Sequence, residues 1–278
     1  MNINNEEKIK YLKVIVAIVV VVVGIIVFNT FFEKSNNPVT EQATSMVTEP
    51  TTEKTTEPTT EKTTKARKVT SEHFIDVPYL NQNNYPSGCE VVSATMVLNY
   101  FDYDITTKKF IDDYLPMQEL FENKKGEIVG PDYESMFVGS PYKSSGLGCF
   151  PPVIEYACNN YLKDSNKKAV DVTGATMNEL IEEYIIYDIP VLIWGTIHMV
   201  EPYDTLQWVV EGAKVYSSYK DGDICKWPAN EHCMVFTGYD ETYYYFNDPL
   251  YEHPKVAVDK ATFEHRYEQI GKHSLVIK

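Results

Sequence analysis

The stretch that decides the fold is Asn83–Phe101, NNYPSGCEVVSATMVLNYF. Tyr85-Pro86-Ser87-Gly88 is turn chemistry and cannot continue a helix backwards. From Glu90 to Phe101 the pattern is helical, and Val91, Val92, Ala94, Met96, Val97 and Leu98 leave almost no polar face. A helix that is apolar nearly all round has to be buried. Cys89 stands at its tip, between Gly88 and Glu90. A thiol attacks as thiolate, and a helix N-terminus with an imidazolium nearby lowers its pKa. The negative charge of Glu90 opposes that slightly. The competing reading of Cys89 is a small packing residue, common for free cysteines.

Outward from this helix, the pattern sorts into helices first and strands second. Helices are predicted at Glu90–Phe101, Thr106–Tyr114, Pro151–Tyr161 and Met177–Tyr187. Strands are predicted at Pro190–Thr196, His232–Tyr239, Tyr243–Asn247, Lys255–Val258 and His273–Ile277. That segregation is the mark of an α+β fold, with a buried helix packed on an antiparallel sheet. No glycine-rich nucleotide loop and no C-x-x-C pair is present, so nucleotide-binding and thioredoxin-like readings are excluded.

The partner of a nucleophilic thiol is a histidine oriented by a carboxylate. Among six histidines, His232 has the setting, in EHCMVFTGYDETYYYFNDPL (Glu231–Leu250). This reads as two strands joined near Asp240-Glu241-Thr242. Folding there sets His232 opposite roughly residue 250, with Asp248 two positions away and within reach across the hairpin. His198 is the alternative base, but no carboxylate has a comparable setting beside it. Gln82, seven residues before Cys89, can join the Cys89 backbone N–H in an oxyanion hole.

These segments resemble the papain-like cysteine peptidases of family 39, in particular the stand-alone peptidase family 39-like domains of Gram-positive surface proteins. The resemblance rests on Val77–Phe101 and Glu231–Leu250, with support from GLGCFPPVIEYACNNYL (Gly146–Leu162) and IPVLIWGTIHM (Ile189–Met199). It implies a papain-like fold with Cys89 as nucleophile, His232 as general base and acid, Asp248 as its orienter and Gln82 in the oxyanion hole. The Gln82 spacing is one residue longer than in papain. A substrate groove is expected along Gly146, Leu147 and Gly148, with Trp194–Met199 and Trp227–Glu231 beside it.

Cys149, Cys158, Cys225 and Cys233 are left over and could pair as disulfides outside the cell. Cys233, next to His232 on an alternating strand, is expected to point into the core. A zinc site from Cys225, His232 and Cys233 lacks paired ligand spacing, and no metal or cofactor is expected.

The remaining chain sets the location. Val14–Phe28 is uninterrupted apolar sequence, and its extension to residues 11–32 reaches the about 20 residues a membrane-spanning helix needs. Lys8, Lys10 and Lys13 precede it, so residues 1–10 are expected in the cytoplasm and the rest outside the cell. Residues 33–70 form a Thr/Glu/Pro-rich linker in which TEPTTEKT (Thr48–Thr55) repeats as Thr56–Thr63; with so little to bury, it is expected to be disordered. Residues 71–278 are the catalytic domain. The chain carries a formal net charge of −15, and the charges of the first 70 residues nearly cancel, so the excess falls on this domain. An acidic domain without a basic stripe argues against nucleic acid as a partner. The expected partners are a peptide or protein substrate, the membrane through residues 11–32, and the cell wall. The sequence-based function is a membrane-anchored extracellular cysteine peptidase. A non-catalytic surface binding module and an acyl-transferring, cross-linking enzyme are the alternatives on the same fold.

Overall fold

A computed structural model describes residues 67–278. The expected membrane span at 11–32 and most of the linker lie outside the described residues. Among the described residues, no helix is long and apolar enough to cross a membrane.

The architecture is α+β. Strands run in chain order: β1 (His73–Phe74), β2 (Met117–Gln118), β3 (Phe121–Glu122), β4 (Ile128–Gly130), β5 (Phe137–Val138), β6 (Ala169–Asp171), β7 (Val191–Thr196), β8 (Tyr203–Val210), β9 (Ile224–Ala229), β10 (Glu231–Tyr239), β11 (Tyr243–Asn247), β12 (Val256–Asp259) and β13 (Ser274–Ile277). Seven of them make one antiparallel sheet, ordered β12-β11-β10-β7-β13-β6, with β1 pairing the Tyr239 end of β10. A smaller sheet is ordered β3-β4-β8-β9, and β2 pairs with β5.

The helix Cys89–Tyr100 packs against β10 and β7, and every residue from Cys89 to Leu98 is buried. Two of its polar side chains find partners: Ser93 Oγ donates to the Cys233 carbonyl at 3.2 Å and Thr95 Oγ1 to the Val91 carbonyl at 2.7 Å. Gly88 admits no larger residue at its start, because a Cβ there would stand 2.7 Å from Tyr85 Cβ. The helices Thr107–Tyr114 and Pro151–Tyr161 follow the pattern, and the latter opens on Pro151 at the position where a missing N–H costs nothing. The predicted helix Met177–Tyr187 is a helix Met177–Glu183, started by a Thr176–Glu179 capping box, and a 3-10 turn Ile185–Tyr187.

Beyond the short strands β1–β6 and the β8–β9 ribbon, which the pattern does not predict, two further parts depart from the expectation. The helix Lys260–Gln269 has a sparse apolar stripe, Phe263 and Tyr267 alone being buried. It fits because β7 offers Gly195, where a Cβ would be 3.1 Å from Phe263 Cε2. Arg67–Thr70, read as the tail of the linker, are held on the domain: Arg67 Nη1 donates to Asp188 at 2.8 Å and the Thr70 carbonyl accepts from Tyr239 Oη at 3.1 Å.

Phe263 ties that helix to the main sheet, with its ring 4.4 Å from that of Phe246 and 5.9 Å from that of Tyr267. Phe263→Ala should therefore destabilise the domain by about 3–5 kcal/mol. Urea unfolding measures this, and a loss under about 1 kcal/mol would mean the helix is not part of the cooperative core.

Candidate active site

The hairpin β10–β11 brings the expected base and orienter together. Its register pairs Val235 with Asn247, with a bulge further along between Phe236 and Gly238. Continued toward the open end, that register sets Asp248 diagonal to His232 on the same face. His232 Nε2 lies 2.6 Å from Asp248 Oδ1, and both side chains are buried. The same Asp248 oxygen accepts from the Leu250 N–H at 2.9 Å, which fixes the carboxylate. With Nε2–H given to Asp248, Nδ1 is left as the nitrogen free to take a proton.

Gln82 is buried close by. Its backbone N–H donates to the Pro249 carbonyl at 2.9 Å, which fastens the loop before the helix to the end of β11. The side-chain Nε2 donates to the Pro86 carbonyl at 3.4 Å, and Oε1 has no hydrogen-bond partner. No side chain caps the helix start at Gly88. The alternative base, His198, is exposed and left-handed (φ 52°), with Nδ1 3.1 Å from Tyr251 Oη rather than on a carboxylate.

Cys89 is only 8% exposed, and its environment corrects the expectation of a lowered pKa. Its thiol donates to Glu90 Oε2 at 3.4 Å, not to His232. Burial pushes the thiol well above its ordinary range, and the charges of Glu90, Glu231 and Cys233 push the same way; a hydrogen bond from the Cys233 backbone opposes them. A helix start is worth a fraction of a charge, whereas complete desolvation acts on the whole thiolate. Burial therefore favours the protonated form of Cys89.

The carboxylates responsible were not both legible. Glu90 is buried at the helix tip, with Oε1 accepting the Cys149 N–H at 2.7 Å, and burial raises its pKa to about 7. Glu231, expected only as groove lining, is buried beside it; burial, then the charge of Glu90, raises its pKa well above the carboxylate range. A lone acidic residue in an otherwise apolar helix was the available signal for Glu90.

The expected groove is part surface and part wall. Gly146 and Leu147 are half-buried beside the helix start, where Ser87 Oγ donates to the Ser140 and Lys143 carbonyls. Gly148 is buried, with φ 147°, and a Cβ there would be 2.4 Å from Glu90 Oε1. Trp194 is corrected: it is wholly buried in β7 with its indole N–H donating to the Cys149 carbonyl at 3.0 Å, so it supports the wall from behind and does not line an open groove. All five cysteines are free, so the leftover four are packing thiols rather than two disulfides.

Glu90 makes stability depend on pH. Its folded pKa lies above that of an unfolded glutamate, so its contribution is fully present below the ordinary carboxylate pKa and is lost as pH rises toward about 7. The buried His273, pushed down to about 4, acts in the opposite sense at acid pH, so the comparison is made against a variant. The urea midpoint should fall more between about pH 5 and 8 in the wild type than in Glu90→Gln. Identical slopes would show that Glu90 keeps an ordinary pKa.

Comparison with known proteins agrees with this layout. YvpB of Bacillus subtilis (strain 168), an uncharacterized protein, is 29% identical over 209 residues, which is 73% of this chain and 75% of YvpB. A crystal structure described as that of a C39-like peptidase from Bacillus anthracis superposes with a TM-score of 0.62 at 27% identity, over 74% of this chain and 97% of that one. The model of the Peptidase_C39 like family matches residues 74–275, from β1 into β13, and takes in Cys89, His232 and Asp248. The chain belongs to the Peptidase_C39 like family.

Proposed function

We propose that this protein is a membrane-anchored extracellular cysteine peptidase that acts on a peptide or a cell-wall-associated substrate. The observation that carries the reading is the buried His232–Asp248 pair at 2.6 Å, set on the strand that packs on the helix headed by Cys89. The family supports cysteine peptidase chemistry. The anchor and the outward topology rest on the sequence of residues 1–70.

Turnover begins when the Cys89 thiol leaves Glu90 and passes its proton to His232 Nδ1. The sulfur attacks the substrate carbonyl carbon, and the oxyanion is met by the Cys89 backbone N–H and Gln82 Nε2. His232 returns the proton to the leaving amine as the C–N bond breaks, which leaves a thioester on Cys89. Water, deprotonated by His232, then attacks the thioester and releases the acid and the thiol. Asp248 holds the ring and balances the imidazolium throughout.

The buried, protonated thiol favours one second reading, a binding module that keeps the fold without turnover. Activity separates the two. Cys89→Ala should abolish hydrolysis of a peptide library, and Asp248→Asn should lower kcat by a factor on the order of 10²–10⁴ while leaving the fold intact. Hydrolysis that survives Cys89→Ala, or none in the wild type with any peptide, removes the peptidase reading. An amine acceptor that diverts the thioester from water would mark acyl transfer instead.

Topology has its own measurement. Protease added to intact cells should cut within residues 35–66 and release a domain beginning near Arg67, with residues 11–32 left in the membrane fraction. A domain protected until lysis would reverse the orientation.

A further inference from the structure

Beside Cys89 the structure gathers more negative chemistry than a hydrolytic cysteine requires. Cys89 Sγ, a carboxyl oxygen of Glu90 and one of Glu231 lie within 4.8 Å of one another, and all three residues are buried. Glu90 is fully used, with Oε1 on the Cys149 N–H at 2.7 Å and Oε2 on the thiol at 3.4 Å. Glu231 is not: the residue is 6% exposed, and its buried Oε1 has no hydrogen-bond partner. A buried carboxyl group left without a hydrogen-bond partner costs free energy whether charged or neutral, and a bound cation would supply the missing partner. Gly148 keeps the place open, because a Cβ would stand 2.4 Å from Glu90 Oε1 and 3.3 Å from Glu231 Oε2. The thiol of Cys233 borders the same cluster, adding a soft donor near it.

One sulfur and two carboxyl oxygens suit a borderline-soft divalent ion. Zinc takes sulfur at about 2.3 Å and carboxylate oxygen at about 2.0–2.2 Å, with a fourth place left for water in sites built from three protein ligands. Around a tetrahedral ion, such ligands stand roughly 3.4–3.7 Å apart. The Sγ–Oε2 distance of 3.4 Å is already in that range. Glu231 offers one carboxyl oxygen within 4.8 Å of the other two donor atoms, so an ion would have to draw the three closer together.

We propose that Cys89, Glu90 and Glu231 form a site for a divalent transition-metal ion of the zinc class, held by the thiolate and two carboxylates, which caps the cysteine. The thiol proton goes to solvent as the ion binds. That occupancy silences hydrolysis rests on the peptidase reading above; the binding itself does not. His232 is the competing ligand, through Nδ1, and a conventional Cys–His site would use it in place of Glu231.

Cobalt(II) titration of the full-length chain in detergent, read by thiolate-to-metal charge-transfer absorption and reversed by zinc, tests the site without any turnover. The exposed His198, His253 and His265 can also take cobalt, but only a thiolate gives the charge-transfer band that is read. The wild type should show the band and Cys89→Ala should lose it. Glu231→Gln should weaken cobalt and zinc binding by about tenfold or more, with His232→Gln within about twofold of wild type. Should Glu231→Gln fail to fold, as circular dichroism would show, Glu90→Gln carries the same expectation. Absence of the band, its persistence in Cys89→Ala, unchanged affinity in the glutamine variants, or loss in His232→Gln overturns the site. Hydrolysis by the zinc-free wild type is measured separately, so failure of the peptidase reading is distinguishable from failure of this one.

Discussion

One constraint organises the domain: the helix Cys89–Tyr100 has almost no polar face and must be covered on every side. Covering it takes β10 and β7 on one flank and the helices Thr107–Tyr114 and Pro151–Tyr161 on others. The burial extends to the very first residue, because Gly88 and the turn at Tyr85 hold the incoming chain tightly against the helix start. Whatever stands at positions 89 and 90 is therefore drawn out of water along with the valines. The site is a by-product of packing in this sense, and its electrostatics follow from burial rather than from the helix dipole.

The strongest sequence signals were the ones with local causes. The apolar helix, the proline-led helix at Pro151 and the β10–β11 hairpin are each specified within a short window, and the hairpin register alone sets His232 diagonal to Asp248. The β8–β9 ribbon was not legible because the first half of β8 is exposed and its other neighbour, β4, is reached from far along the chain. The helix Lys260–Gln269 was hidden for a related reason: two buried aromatics are too few to set a period, and Phe263 fits only because β7 carries Gly195 beside it. Glu231 was misjudged because its neighbour His232 drew the functional reading, while the residue that defines its environment, Glu90, lies far away in sequence. Trp194 looked like a groove residue by proximity to the family's motifs, yet a strand in the centre of a sheet has no open side there.

The buried thiol and the His232–Asp248 pair, the two halves of the proposed reaction, stand in different local environments. The His232 ring is held by a short hydrogen bond to Asp248, whose same oxygen also accepts from the Leu250 N–H. The thiol is turned toward Glu90 and is held protonated by desolvation. In the proposed mechanism Cys89 must therefore change partner and solvation before it reacts, while Gln82 is tied to the same end of β11 through Pro249.

The way the chain enters the domain has a mechanical meaning. Asp188, left-handed at φ 61°, receives both Arg67 Nη1 at 2.8 Å and His73 Nε2 at 2.9 Å, and β1 adds a two-residue pairing to the Tyr239 end of β10. Tension applied at residue 67 is borne first by this clasp of side chains on Asp188 and then by the shortest strand of the main sheet. An exposed Arg67–Asp188 ion pair and a two-residue ladder yield under small loads. They would peel away one after another, like a mechanical fuse, before force reached the middle of β10. His232 lies at the opposite end of that strand, so the pair it forms with Asp248 is the last part of β10 to feel the pull.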